Sequence, residues 1–278
     1  MNPSDDEFEA VRRDPDPLRR GRRATELITL YQQRAAELAR LRRASIDEAH
    51  RYLGLNYTEI ASELGITKGR ITQIRSSAPD PERAFFGVGP VAVGIPRRYG
   101  FEDGRERTFF DASDTAAQSS IEATLSRLAL ATMKLAIEPD CQEVPAGDAV
   151  IICGPKSAPV ARTLLAHDPY LDFARMDDRW WITVDRTGER FDSPFRRDST
   201  IRSDVGYFGR HLLGNRVVVH IAGIMSIGSL GVAHWLETNL AKVFGGHENK
   251  SVSGVVHCDF DENLAIKNSR LVAGPYAW

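Results

Sequence analysis

The chain has 278 residues, 42% of them apolar, with a formal net charge of −2, which suits one large domain or two ordinary ones and excludes a disordered or fibrous chain. It holds no run of about 18 apolar residues, and its N-terminus opens on Asp5, Asp6, Glu7 and Glu9, so neither a membrane span nor a secretory leader is expected and a cytoplasmic location follows. The three cysteines, Cys141, Cys153 and Cys258, are odd in number and lack metal-type spacing, which fits a reducing compartment and suggests neither a disulfide framework nor a metal site.

The net charge hides an uneven distribution. Residues 1–10 carry four acids and no base, residues 11–78 carry 14 Lys and Arg against eight Asp and Glu, and the remainder is acidic at 22 against 26. The compact basic segment has the electrostatic footprint of a phosphate-backbone binder. Residues 1–19, polar and proline-bearing, read as a disordered arm. Over 24–43, Leu27, Tyr31, Leu38 and Leu41 recur at helical intervals without Gly or Pro, which predicts one amphipathic helix. Ser45 with Glu48 three residues on has the pattern of a capping box, predicting a second, short helix that Gly54 closes.

Residues 57–74 read Tyr-Thr-Glu-Ile-Ala-Ser-Glu-Leu-Gly-Ile-Thr-Lys-Gly-Arg-Ile-Thr-Gln-Ile. Ile60, Ala61 and Leu64 form the inward face of a first helix, Gly65 permits a left-handed turn, and Ile66, Ile71 and Ile74 anchor a second helix. Thr67, Lys68, Arg70, Thr72, Gln73 and Arg75 are left outside, and these hydrogen-bonding and cationic side chains suit base edges and phosphates in a major groove. This segment resembles the helix-turn-helix of bacterial transcription regulators, in particular the promoter-reading C-terminal region of sigma-70-type factors. The resemblance implies that Thr67, Lys68, Thr72 and Gln73 face bases and that Arg70 and Arg75 face phosphates. Double-stranded DNA is then the partner, with RNA polymerase as a further contact. The competing readings are an ordinary helical hairpin with a solvated polar face and a helical module that binds protein, including RNA polymerase, without contacting DNA.

The two prolines Pro79 and Pro81 mark the end of this domain (20–78), with a linker over 79–84 and a second domain over 85–278. Apolar runs at 90–95, 149–153 and 216–222 predict buried strands, with a further strand at 133–138 and helices at 115–130, 158–166 and 232–243. Residues 180–192 predict a hairpin turning at 185–188, and 252–258 and 264–272 predict two closing strands. The alternation suggests a Rossmann-like α/β domain with a mostly parallel sheet. The first strand and the run 151–157 also resemble a group of actinobacterial proteins in which a helix-turn-helix precedes an α/β domain.

In such sheets ligands sit where strands lead into helices. Two such loops stand out: Gly154, Lys156 and Ser157 after one strand, and Gly223, Ser226, Gly228 and Ser229 in a glycine-bearing loop over 223–231 after another. Together they suggest a pocket for an anionic small molecule such as a nucleotide. They complete neither a P-loop nor a GxGxxG fingerprint, and the glycines equally suit tight turns and helix packing. No catalytic residue and no cofactor is assigned. The chain thus reads as a DNA-binding regulator, a homodimer because two half-sites need two readers, with an effector-sensing or dimerising α/β domain. The alternative is a nucleotide- or NAD-processing enzyme tethered through its helical module.

Overall fold

A computed structural model describes residues 3–278, with side chains from Glu7 onward. The chain divides into two compact units, one running up to Pro81 together with Val88–Pro90, the other comprising Glu82–Gly87 and Val91–Trp278.

The first unit is helical. Where a disordered arm is expected over 1–19, residues Pro3–Arg12 form a helix, α1; Met1 and Asn2 lie outside the described residues. Helix α2 (Pro17–Tyr52) then runs 36 residues without interruption. Asp16 caps its start, accepting the Leu18 and Arg19 amides, and Pro17 suits the first turn because the amide it lacks would have no helical partner. Just upstream, the Arg19 guanidinium meets the buried Asp14 carboxylate at 2.7 Å and holds it well below the usual carboxylate range. The helix break expected at Ser45 does not occur: nothing between Arg22 and Tyr52 interrupts helical geometry, and Ile46, one residue on, is anchored in the unit's core. The capping box belongs to Asn56 and Glu59 instead. Asn56 accepts the Thr58 and Glu59 amides while the Glu59 carboxylate accepts the Asn56 amide at 2.7 Å, starting α3 (Tyr57–Glu63).

A four-residue turn over 64–67 joins α3 to α4 (Lys68–Ser77). Gly65 takes φ +65°, a conformation that favours glycine, and the Ile66 amide closes the turn on the Ala61 carbonyl at 2.9 Å. Ile46, Ile60, Ala61, Ile71 and Ile74 form the core of the unit. Leu64, expected to face inward, is 52% exposed, because the turn carries it past the last contact of α3.

The second unit is built on a seven-stranded mixed sheet. In chain order it contains β1 (Val91–Pro96), the hairpin β2 (Arg98–Glu102) and β3 (Arg105–Phe109), α5 (Ala112–Arg127), β4 (Thr132–Ile137), β5 (Ala149–Ile152) and α6 (Val160–Leu165). There follow β6 (Leu171–Met176), β7 (Arg179–Val184), β8 (Arg190–Phe191), α7 (Pro194–Arg197), β9 (Ser203–Leu213), β10 (Arg216–Gly223), α8 (Ser226–Phe244), β11 (Val252–Phe260) and β12 (Ile266–Ala277). The order across the main sheet is β12-β11-β9-β10-β5-β1-β4. Strands β4, β1, β5 and β10 run parallel, whereas β10, β9, β11 and β12 pair antiparallel. A mostly parallel sheet is therefore the wrong expectation. The two-residue turn 214–215 folds β9 back on β10, and β12 returns on β11, so half the sheet consists of hairpins.

Helices α5 and α8 cover one face, where Ile121 and Leu125 meet Val232, Leu236 and the strand residues Val93 and Val219. On the other face lie α6, through Val160 and Leu164, and the separate antiparallel sheet β6-β7-β8, through Phe173 and Ile182. Strands β1, β5 and β10 are buried on both faces, which is why they read as continuous apolar runs, whereas β4 at the sheet edge is largely exposed.

Candidate functional site

In the helical unit, the candidate surface is the outer face of α4. Thr67 spends its hydroxyl as the helix cap, accepting the Arg70 amide at 3.2 Å. Lys68, Arg70, Thr72 and Gln73 are exposed, while Ile71 and Ile74 between them are buried, so the sequence places polar chemistry outward and the anchors inward. Arg70 donates to Gln73 Oε1 at 2.6 Å, which orders two of these side chains beside each other. Arg75 differs. Its Nε meets Asp47 at 2.7 Å and its guanidinium lies over the Tyr57 ring at 4.7 Å, so it clamps α4 onto α2 and α3.

In the sheet unit, β5 and β10 are parallel neighbours, so their two following loops emerge at the same carboxyl edge. Lys156 ties these loops together: its ammonium donates to the Ile224 carbonyl at 2.8 Å, and burial pushes the amine below its ordinary value. Gly154 lies beside the Gly223 carbonyl, and Ser226 opens α8, half-buried. The other expected residues are turned to structural use. Ser157 sits in the turn leading to α6, with its amide on the Gly154 carbonyl at 2.9 Å. Ser229 is buried and its hydroxyl accepts the Gly223 amide at 2.9 Å.

The glycine-bearing loop over 223–231 is mostly helix, because α8 begins at Ser226, six residues earlier than expected. Gly228 lies inside that helix against β9, where a Cβ would run into the Val205 carbonyl oxygen and the Asp204 carboxylate. Its lack of a side chain lets helix and strand backbones approach. The turn of α8 nearest the sheet edge is held by Asp204, which accepts the Met225 amide at 3.1 Å. Burial pushes this carboxyl up to about 6, against the opposing pull of the Ser193 hydroxyl and the amides of Val205, Met225 and Gly228. A resident carboxylate thus occupies the helix N-terminus, the place where an external anion would find free amides and a favourable dipole.

Two further groups complete this edge. Arg98, just past β1, pairs with Asp114 in the first turn of α5 at 2.9 Å, and burial raises the Asp114 carboxyl against the pull of that arginine. Sequence reasoning missed both, because the β2-β3 hairpin that begins at Arg98 has no apolar alternation: every residue of β3 is exposed. The edge accordingly carries the cations Lys156 and Arg98, with Arg196 acting on Lys156 as well, among the carboxylates of Asp114 and Asp204. Burial pushes the Cys153 thiol at this edge up to about 12, which keeps it protonated at neutral pH.

Behind this edge, under the three-stranded sheet, lies a buried polar chain. The Tyr207 hydroxyl donates to Asp168 at 3.1 Å, and His211 Nε2 meets the same phenol oxygen at 3.3 Å. His220 Nε2 meets the Cys153 carbonyl at 2.8 Å. Burial lowers His211 to about 3, helped by His220 and His167, and lowers His220 to about 4 against the pull of that carbonyl. Both rings are neutral at pH 7.

Among the described residues, no group of three or more His, Cys, Asp or Glu is placed to hold a metal ion, and no helix is long and apolar enough to cross a membrane. No family model, curated protein or solved structure matches the chain.

Proposed function

We propose that the chain is a sequence-specific DNA-binding transcriptional regulator whose helical unit reads the major groove as a helix-turn-helix, with α4 as the recognition helix. The observation that carries the reading is the division of α4 into a buried apolar face, Ile71 and Ile74, and an exposed face bearing Lys68, Arg70, Thr72 and Gln73 directly after a tight glycine turn. The basic balance of residues 11–78 supplies the attraction to phosphates. Lys68, Thr72 and Gln73 contact base edges in this reading. Arg70 neutralises a phosphate, whereas Arg75 acts from within the fold, since its pairing with Asp47 occupies it.

The sheet unit is the Rossmann-like effector domain of this regulator. An anionic small molecule would bind at the carboxyl edge of β5, β10 and β1, where Lys156 and Arg98 supply the positive charge. It would compete for those cations with Asp204 and Asp114, which ties effector binding to the N-terminal turns of α8 and α5.

The test is affinity selection of fragmented genomic DNA by the purified chain, with the Lys68→Ala/Gln73→Ala variant beside it. One enriched motif that the variant loses is the expected result. Loss of Gln73 alone should relax the choice of base at one position by about 1–3 kcal/mol. Equal, sequence-independent binding by both proteins would overturn the reading.

A further inference from the structure

Helix α2 carries more apolar surface than its own unit covers. Ile28, Tyr31 and Leu38 are 56%, 38% and 65% exposed, and Leu41 beside them is 44% exposed. Ile28, Tyr31, Ala35 and Leu38 follow one another at alternating steps of three and four residues, the 3.5-residue repeat of a helix seam, and Arg42, Ser45 and Ala49 continue the spacing with two polar residues. The small Ala35 stands between the two largest aliphatic side chains of the stripe.

Towards the C-terminal end the same face opens into an apolar groove of about 540 Å³. Ile46, Ala49 and Leu53 of the α2 end form one wall and Ile60 and Leu64 the other, with Arg42 and Glu63 at the rim. Leu53 and Leu64 are 71% and 52% exposed there. Stripe and groove therefore form one continuous surface along a helix 36 residues long.

We infer that this face is the seat of a second copy of the chain, with α2 packing on the partner's α2 about a twofold axis. Area and periodicity both support a second copy as the occupant. The five aliphatic side chains Ile28, Leu38, Leu41, Leu53 and Leu64 leave on the order of 500 Å² of apolar surface open, towards the top of what a monomer exposes in one patch. At the ~65% apolar share of homodimer interfaces, that corresponds to roughly 770 Å² per partner, close to the ~800 Å² of a standard stable interface. A seam of 3.5-residue period is complementary to another of the same period, so a helix that carries one on its open face is matched by its own copy. This deepens the DNA-binding reading, which calls for two recognition helices on adjacent half-sites.

The test is the solution mass of the full chain at micromolar concentration without DNA, for the wild type and for Ile28→Glu/Leu38→Glu. Both positions are exposed, so the variant should keep the wild-type helical content and melting temperature while its mass falls from that of two chains to that of one. In parallel, a Leu38→Cys chain carrying Cys141→Ser should form a covalent dimer with a short bismaleimide. A monomeric wild type overturns the inference. So does a dimer that survives the double glutamate variant or yields no cross-link through position 38. Because the mass is read without DNA, these failures leave the base-reading role of α4 standing. A dimer that selects no DNA motif would sink that role and leave the interface intact.

Discussion

The two units distribute their polar and apolar groups in opposite ways. The helical unit keeps its cations outside and leaves Ile28, Leu38, Leu53 and Leu64 open, around a core of five side chains. The sheet unit buries its ionisable groups: Arg83, Asp114, Asp204, Arg210, His211 and His220 are each less than 5% exposed. A chain that holds its chemistry at the surface meets partners directly, whereas buried charge makes the fold itself respond to protonation and to ligands. Substitutions in the two units should therefore differ in kind.

The largest effect is expected at Arg210. Its guanidinium reaches the carbonyls of Ala84, Phe85, Glu248 and Lys250 and stacks against Phe244 at 5.1 Å. Arg210→Leu leaves several buried acceptors without donors and should cost about 3 kcal/mol or more in thermal or denaturant unfolding. The exposed Lys68→Ala should cost less than about 0.5 kcal/mol. Equal costs would erase the contrast between the units.

Acidification comes next. His211 titrates at about 3 in the folded chain against an ordinary 6.5, so the unfolded state takes up its proton first. The stability that depends on its neutral form is fully present above pH 6.5 and drains away as pH falls towards 3. Asp204 has the opposite sign. Its carboxyl stands at about 6 against an ordinary 3.8, so its contribution is complete below 3.8 and lost as pH rises through 6. His211→Gln should therefore lose less melting temperature than the wild type between pH 6.5 and 4, whereas Asp204→Asn should lose more. Identical slopes in all three proteins would contradict both assignments.

The smallest effect sharpens the account of the helical unit. Asn56→Ala removes the acceptor for two amides at the start of α3 and should cost about 1 kcal/mol, while Ser45→Ala, in mid-helix, should be neutral or slightly stabilising. The reverse order would restore a helix boundary at Ser45.

The same physics decides which elements the sequence makes legible. Strands β1, β5 and β10 were legible because burial on both faces demands unbroken apolar sequence. Strand β9 was not. Its Asp204, Gly206, Gly209, Arg210 and His211 resemble an exposed connector, and their partners lie far away in sequence, at Met225, Phe85 and Lys250 among others. The candidate ligand loops were legible as neighbours, because parallel strands bring their carboxyl ends together. Their glycines stay ambiguous in the sequence, since a glycine that frees a loop and one that lets a helix touch a strand are the same letter. The capping pattern occurs twice, at Ser45 and at Asn56, and only the anchoring of Ile46 decides between them.

The unbroken run of α2 has a mechanical consequence. At 1.5 Å per residue its 36 residues make a rod roughly 54 Å long, stiff because no glycine or proline interrupts it after Arg22. A tilt of about 5° applied at its first turns displaces Tyr52, at the far end, by roughly 5 Å. That end abuts α3 and α4, so any tilt of α2 near Asp14 and Arg19 would be amplified along the rod before it meets them.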